Sequence, residues 1–260
     1  MPALPSRVDR DAVFAPTGRT AIYPWTMMPK PPDEVAQSAD VMRLRSGIIP
    51  RCSACALHVP LCLCGTMKPI DTRTRCTLLM HAKESRRSTN TGHLLPLGIR
   101  HCQIRIRGRQ DTPGMQQGLH RQGHYDCVLF PSEDATVLTA EWVDSLEMPV
   151  HLIVPDGNWR QAKKMIWREP ELANLPRVTI QGGALSRYRL RRHQNPRFLS
   201  TFEAVSRALD ILESDTISTQ IQPLFDTFVD RSLWARGDLS TADVAGGVPP
   251  EALKPFLRVE

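Results

Sequence analysis

The 260-residue chain has no apolar run near the roughly 18 residues that suggest a membrane-spanning helix. Its first thirty residues scatter Pro, Arg and Asp among apolar positions, without the compact apolar core of a secretory signal. Both absences predict a soluble, cytoplasmic protein with no membrane association. Aromatic residues make up only 6% and do not interleave regularly with arginines, so no stacking platform for single strands is evident. The chain also lacks a P-loop, the glycine fingerprint of dinucleotide-binding folds and a His-Glu-x-x-His metalloprotease motif. Those absences remove the common signatures of nucleotide hydrolysis, dinucleotide binding and zinc proteolysis.

Charge and cysteine are present in informative patterns. The formal net charge of +6 suits a polyanionic partner, and its distribution says more than the total. Arg100, Arg105, Arg107 and Arg109 form one run; Arg187, Arg189, Arg191, Arg192 and Arg197 form another that is almost free of acid. Such runs fit a solvated face as well as an RNA contact. Four of the seven cysteines fall within thirteen residues, as Cys52-x2-Cys55-x6-Cys62-x-Cys64. Two short-spaced knuckles supply four thiolates in a tetrahedron, the closed arrangement zinc prefers, while an iron–sulfur centre uses the same ligands and stays an alternative. His58 lies between the knuckles and reads as a solvent-facing loop residue, with substitution for one cysteine as the other reading. Cys76, Cys102 and Cys127 sit in apolar stretches and read as core.

The chain divides into a proline-rich, poorly ordered extension (1–46), a zinc knuckle (47–70), a catalytic domain (71–236) and a loosely held C-terminal tail (237–260). Short apolar runs at 76–80, 103–106, 127–130, 150–154 and 177–180 alternate with helical patterns, which predicts an α/β fold with a largely parallel sheet. Asn158 caps an expected helix on which Trp159, Ala162 and Ile166 recur. Ser200 and Glu203 make a capping box ahead of the stripe Phe202, Val205, Leu209 and Leu212, and a further helix is expected over about 216–234.

In open α/β sheets ligands bind beyond the carboxyl ends of the strands. Three strand ends carry polar residues: His81-Ala82-Lys83-Glu84, Pro131-Ser132-Glu133-Asp134 and Pro155-Asp156-Gly157-Asn158-Trp159. Asp156 leaves a strand just ahead of a helix N-terminus, although Asp-Gly alone fits a reverse turn equally. His81 and Glu84 are an acid/base pair on one reading and a local salt bridge on the other.

Taken in order, these motifs resemble the DTW-domain family of tRNA-uridine aminocarboxypropyltransferases, over roughly residues 48 to 235. The resemblance is carried by the Cys52–Cys64 array, His81-Ala82-Lys83-Glu84 with Asn90-Thr91-Gly92, Phe130-Pro131, Asp156-Gly157-Asn158-Trp159, Tyr188-Arg189-Leu190-Arg191 and Ser200-Thr201-Phe202-Glu203-Ala204. Asn158 stands where the family usually has Thr.

The resemblance implies a SPOUT-like, knotted α/β fold. It also implies transfer of the 3-amino-3-carboxypropyl group from S-adenosylmethionine to N3 of a uridine in tRNA, with Asp156 as base. Phe130, Pro131, Pro155, Asp156, Trp159, Ser200 and Thr201 are then expected to hold the cofactor. Lys83, Arg86, Arg87, Arg189 and Arg191 are expected to hold RNA, and Cys52, Cys55, Cys62 and Cys64 a structural zinc. An RNA methyltransferase or rRNA-directed transferase of similar fold, and a non-catalytic zinc-dependent RNA-binding protein, are the alternatives.

Overall fold

The computed structural model describes residues 49–108, 118–191 and 198–253. The expected extension at 1–46, together with Arg109, Arg192 and Arg197, lies outside the described residues. Six strands form one sheet: β1 (Arg75–His81), β2 (Cys102–Arg107), β3 (Tyr125–Leu129), β4 (Thr136–Val137), β5 (Val150–Asp156) and β6 (Arg177–Thr179). Their order is β2-β1-β5-β3-β6-β4, and every pairing is parallel. The α/β architecture expected from alternating apolar runs is therefore present. Strand β4 was not foreseen, because two edge residues carry no apolar run of their own.

Among the described residues seven α-helices accompany the sheet: α1 (Leu95–Gly98), α2 (Ala140–Asp144), α3 (Trp159–Arg168), α4 (Pro170–Ala173), α5 (Thr201–Glu213), α6 (Ile217–Trp234) and α7 (Pro250–Leu253). The central strands are buried along most of their length and mainly apolar because both sheet faces are covered, as parallel sheets require. Leu78, Leu152 and Val154 face α5 and α6 through Phe202, Val205, Leu209, Phe225 and Phe228. Their strand neighbours Leu79, Ile153 and Val128 face α3 and α4 through Met165, Ile166 and Leu172. This is the period-two alternation of a pleated strand, with each fully buried Leu or Ile contributing about 1.5–3 kcal/mol. Phe202 stacks on Phe225 at 5.0 Å between centroids, joining α5 to α6. No helix among the described residues is long and apolar enough to cross a membrane.

The two ends of the sheet differ. Near the amino ends of the strands lies a buried polar chain: His151 joins Thr77 Oγ1 (2.8 Å) to Asp126 Oδ1 (2.7 Å), and Asp126 Oδ2 meets His120 (2.5 Å). Burial holds the His151 imidazole below its ordinary pKa despite the adjoining carboxylate. At the carboxyl ends sit His81, Leu129 and Asp156.

The segment after Gly237 is not loosely held as far as Leu253. Val244 and Ala252 are buried, and the Arg231 guanidinium of α6 donates to Gly247 O (3.1 Å) and Gly246 O (3.4 Å).

Candidate active site and metal centre

Asp156 ends β5, opposite Met80 of β1, and is 4% exposed. Each of its oxygens has a donor from a distant segment. Asn90 Nδ2 donates to Oδ2 at 2.7 Å, and Thr201 Oγ1 donates to Oδ1 at 2.6 Å. Asn90 is itself oriented, since its Oδ1 accepts from Gly92 N at 2.7 Å. The Phe202 N–H at the start of α5 donates to Thr91 Oγ1 (3.2 Å), and the Tyr188 hydroxyl donates to Thr89 O (2.6 Å). One carboxylate thus ties together β5, the 89–92 turn and the start of α5.

Gly92 is required by space. A Cβ there would lie 2.8 Å from Leu78 Cδ2 and 3.0 Å from both Asn90 Oδ1 and Asp156 Oδ2. The helix starts are equally well specified. Ser200 accepts from Glu203 N while Glu203 Oε2 accepts from Ser200 N, so the expected capping box is formed. Asn158 does the same for α3: its Oδ1 accepts from Gln161 N (2.9 Å) and its N–H donates to Gln161 Oε1 (2.8 Å). Asn in place of the family's Thr leaves this cap intact.

The structure joins some of the expected cofactor residues and separates others. Asp156 and Thr201 are bonded, and Ser200 caps the helix that Thr201 begins. Phe130 and Trp159 form an edge-to-face pair at 5.7 Å. Trp159 is not core: it is 59% exposed, and the buried stripe of α3 is Ala162, Met165 and Ile166. Pro131 is exposed and Pro155 half-buried, pairing with Leu79 in register.

His81 and Glu84 do not form an acid/base pair. His81 Nδ1 accepts from Lys83 N (3.1 Å), whereas the buried Glu84 carboxylate faces Arg87 (3.2 Å) and Arg191 (3.9 Å). Arg191 also lies over the Tyr188 ring at 5.7 Å. Arg189 bonds to Asp230, and Arg187 to Asp226 at 2.8 Å. Three of the five expected RNA contacts, Arg87, Arg189 and Arg191, are therefore engaged by the protein's own carboxylates. Lys83 and Arg86 are exposed and make no ion pair among the described residues.

His93, which follows Asn90-Thr91-Gly92 directly, was missed from sequence. Its Nε2 is buried without a hydrogen-bond partner among the described residues. Burial lowers the pKa of the ring, opposed by a hydrogen bond to the Ser85 backbone and by the Asp156 charge.

At the amino end of the domain, Cys52, Cys55, Cys62 and Cys64 bring their sulfurs within 4.8 Å of one another. Cys52 and Cys64 are 3.6 Å apart, and Cys55 and Cys62 are 3.8 Å apart. A tetrahedral zinc with Zn–S bonds of about 2.3 Å sets its sulfurs about 3.8 Å apart, so the donor set fits the ion. Burial pushes the Cys55 thiol up to about 11, while the Cys55 backbone N–H draws Cys52 down to about 7. A bound dication supplies the charge that lets all four ionise. His58 is not a ligand and not solvent-facing: it is buried, with Nδ1 3.1 Å from Ile49 O. Cys76, Cys102 and Cys127 are buried, as expected of core residues.

The knuckle is held to the domain by Arg231, which donates to Leu61 O and Cys62 O at 3.0 Å each. A closed four-thiolate site has no open position for chemistry, so a metal held there would be structural.

The chain matches the DTW domain over residues 49–233. It is 29% identical over 200 residues to the tRNA-uridine aminocarboxypropyltransferase 2 of Drosophila melanogaster, covering 74% of this chain and 77% of that protein. The proteins of the same name from Macaca fascicularis and Mus musculus are 27% and 29% identical over 184 and 183 residues, 67% of this chain and 61% of each relative. No solved structure matches the chain.

Proposed function

The chain belongs to the DTW-domain family, and on that premise we propose that it transfers the 3-amino-3-carboxypropyl group of S-adenosylmethionine to N3 of a uridine in tRNA. The names of three relatives support the reaction class. The observation that carries the reading to this chain is the convergence on Asp156: Asn90 and Thr201, 66 and 45 residues away, hold its two oxygens at the carboxyl edge of the sheet. That edge is where open parallel sheets bind ligands.

In the proposed step, uridine N3 bonds to the side-chain methylene of the donor as its carbon–sulfur bond breaks, and the electron pair leaves on sulfur as neutral methylthioadenosine. The N3 proton has to go to the protein. Asp156 is the acceptor in this reading, because each oxygen has a lone pair left beyond its single hydrogen bond. Ser200 and Thr201 at the start of α5 receive the donor's carboxylate in this reading; with the Phe202 and Glu203 N–H groups already bonded to Thr91 and Ser200, the first-turn N–H of Thr201 is the donor that serves it. The Phe130–Trp159 pair offers an aromatic wall for a purine or uracil ring.

Asn158 fills the helix cap completely, so its departure from the family pattern removes no structural support from the site. Incubating the zinc-loaded protein with unmodified tRNA and S-adenosylmethionine tests the proposal. Methylthioadenosine and an aminocarboxypropyl-uridine in the digested tRNA are expected. Release of S-adenosylhomocysteine instead would replace the reading with methyl transfer.

A further inference from the structure

Helix α3 runs from Trp159 to Arg168 with the sequence Trp-Arg-Gln-Ala-Lys-Lys-Met-Ile-Trp-Arg, which contains four cations and no acid. Its buried stripe fixes how it is rolled against the sheet. With 3.6 residues per turn, Arg160, Lys164 and Arg168 then form a row on the outer face, and Trp159, Lys163 and Trp167 form an i, i+4 row beside it that climbs from the flank of the buried stripe toward the outer face. All six side chains are exposed, Trp167 at 78%. None of the four cations makes an ion pair among the described residues, in contrast to Arg87, Arg187, Arg189 and Arg191.

A basic helix face is usually just solvated. Two largely exposed tryptophans interleaved with unpaired cations are different: a solvated face has no use for large aromatic rings, and rings between cations fit bases between phosphates. The rows also have a direction. They begin three residues after Asp156, where Trp159 touches Phe130, and run about 14 Å away from the carboxyl edge of the sheet at 1.5 Å per residue.

We infer that the outer face of α3 is a tRNA-docking surface, with phosphates on the Arg160–Lys164–Arg168 row, a base against Trp167 and the target nucleotide at the Trp159 end. The inference rests on the proposed tRNA reaction and names the surface that presents the substrate to it. Apart from the Trp159–Phe130 contact, these side chains are exposed and make no ion pair among the described residues, so Arg160, Lys164, Trp167 and Arg168 can be changed with little effect on the fold.

The test measures tRNA affinity across a salt series for the zinc-loaded wild type, for the combined Arg160→Gln, Lys164→Gln, Arg168→Gln variant and for Trp167→Ala. Losing three phosphate contacts lowers the slope of log affinity against log salt by about 2.1 to 2.7. The wild-type advantage then grows about 20- to 40-fold between 0.2 M and 0.05 M salt. Loss of one stacked base weakens binding by about five- to 150-fold. Melting temperature and affinity for S-adenosylmethionine stay at wild-type values in both variants.

Wild-type tRNA affinity and slope in the variants overturn the inference while leaving the reaction standing, provided the wild type still releases methylthioadenosine. Unchanged tRNA binding with lost binding to vesicles of anionic phospholipid reassigns the face to a membrane surface and also overturns it. A wild type that neither binds tRNA nor releases methylthioadenosine removes the reaction, and this inference with it.

Discussion

Replacing Asp156 by Asn separates its chemical role from its structural one. Asn fills the same volume. Its amide oxygen keeps the bond from Asn90 Nδ2, and its amide nitrogen then faces Thr201 Oγ1, whose hydroxyl can turn from donor to acceptor. Both neighbours stay satisfied, so stability should change by less than about 1 kcal/mol. Asp156→Ala instead strands the Asn90 and Thr201 donors at a buried position. At about 1–3 kcal/mol each, the two losses total about 2–6 kcal/mol. That lowers the melting temperature by about 4–24 °C for a domain of this size. A general base contributes about 10²–10⁴ in rate. Single-turnover release of methylthioadenosine should therefore fall by that factor in Asp156→Asn, while its melting temperature and donor affinity stay close to wild type. An Asp156→Asn protein that turns over within a few-fold of wild type would refute the assignment. One that melts like Asp156→Ala would refute the hydrogen-bond argument.

Metal analysis should find one zinc per chain, and Cys52→Ser should lower soluble yield and melting temperature before any catalytic effect is measurable; a protein equally stable without zinc would contradict the sulfur geometry. Gly92→Ala places a methyl against Leu78 and Asp156, which should cost about 1–3 kcal/mol in denaturant unfolding and lower turnover further by displacing Asn90. His151 is held below its unfolded pKa of about 6.5, so the unfolded chain binds the extra proton first as pH falls. Its contribution is complete above that pH and is lost on acidification toward the folded value, with a slope of at most about 1.4 kcal/mol per pH unit. Urea unfolding at pH 7.5 and 5.5 should show a smaller acid loss in His151→Gln than in wild type, and identical losses would contradict the burial argument.

The central strands were readable because they are buried on both faces and so appear as short, mainly apolar runs. The knuckle was readable because metal geometry demands short ligand spacings. Charge was harder. The arginines of 187–191 form a cationic block in sequence, but folding sets them against Asp226, Asp230 and Glu84, which lie 39 to more than a hundred residues away or upstream. Periodicity misplaced Trp159 for a local reason. It shares the i, i+3, i+7 spacing of Ala162 and Ile166, yet it occupies the first turn of α3 and stays largely exposed, with its ring set edge-on to Phe130. His93 gave no signal because an orphaned nitrogen is a property of its surroundings. Asp156 stood out as a strand-end acid, but the partners that orient it come from turns whose sequences look unremarkable alone.

Arg231 sets an order of events in biosynthesis. The carbonyls it holds on the knuckle belong to residues made 170 and 169 positions earlier. At about 5–20 residues per second, the cysteine array leaves the ribosome about 10–30 s before the guanidinium that clamps it exists. Zinc can be captured by the nascent chain during that interval, since all four ligands are already present. The cysteine loop can be seated only when α6 supplies that guanidinium, which also takes up the carbonyls of Gly246 and Gly247.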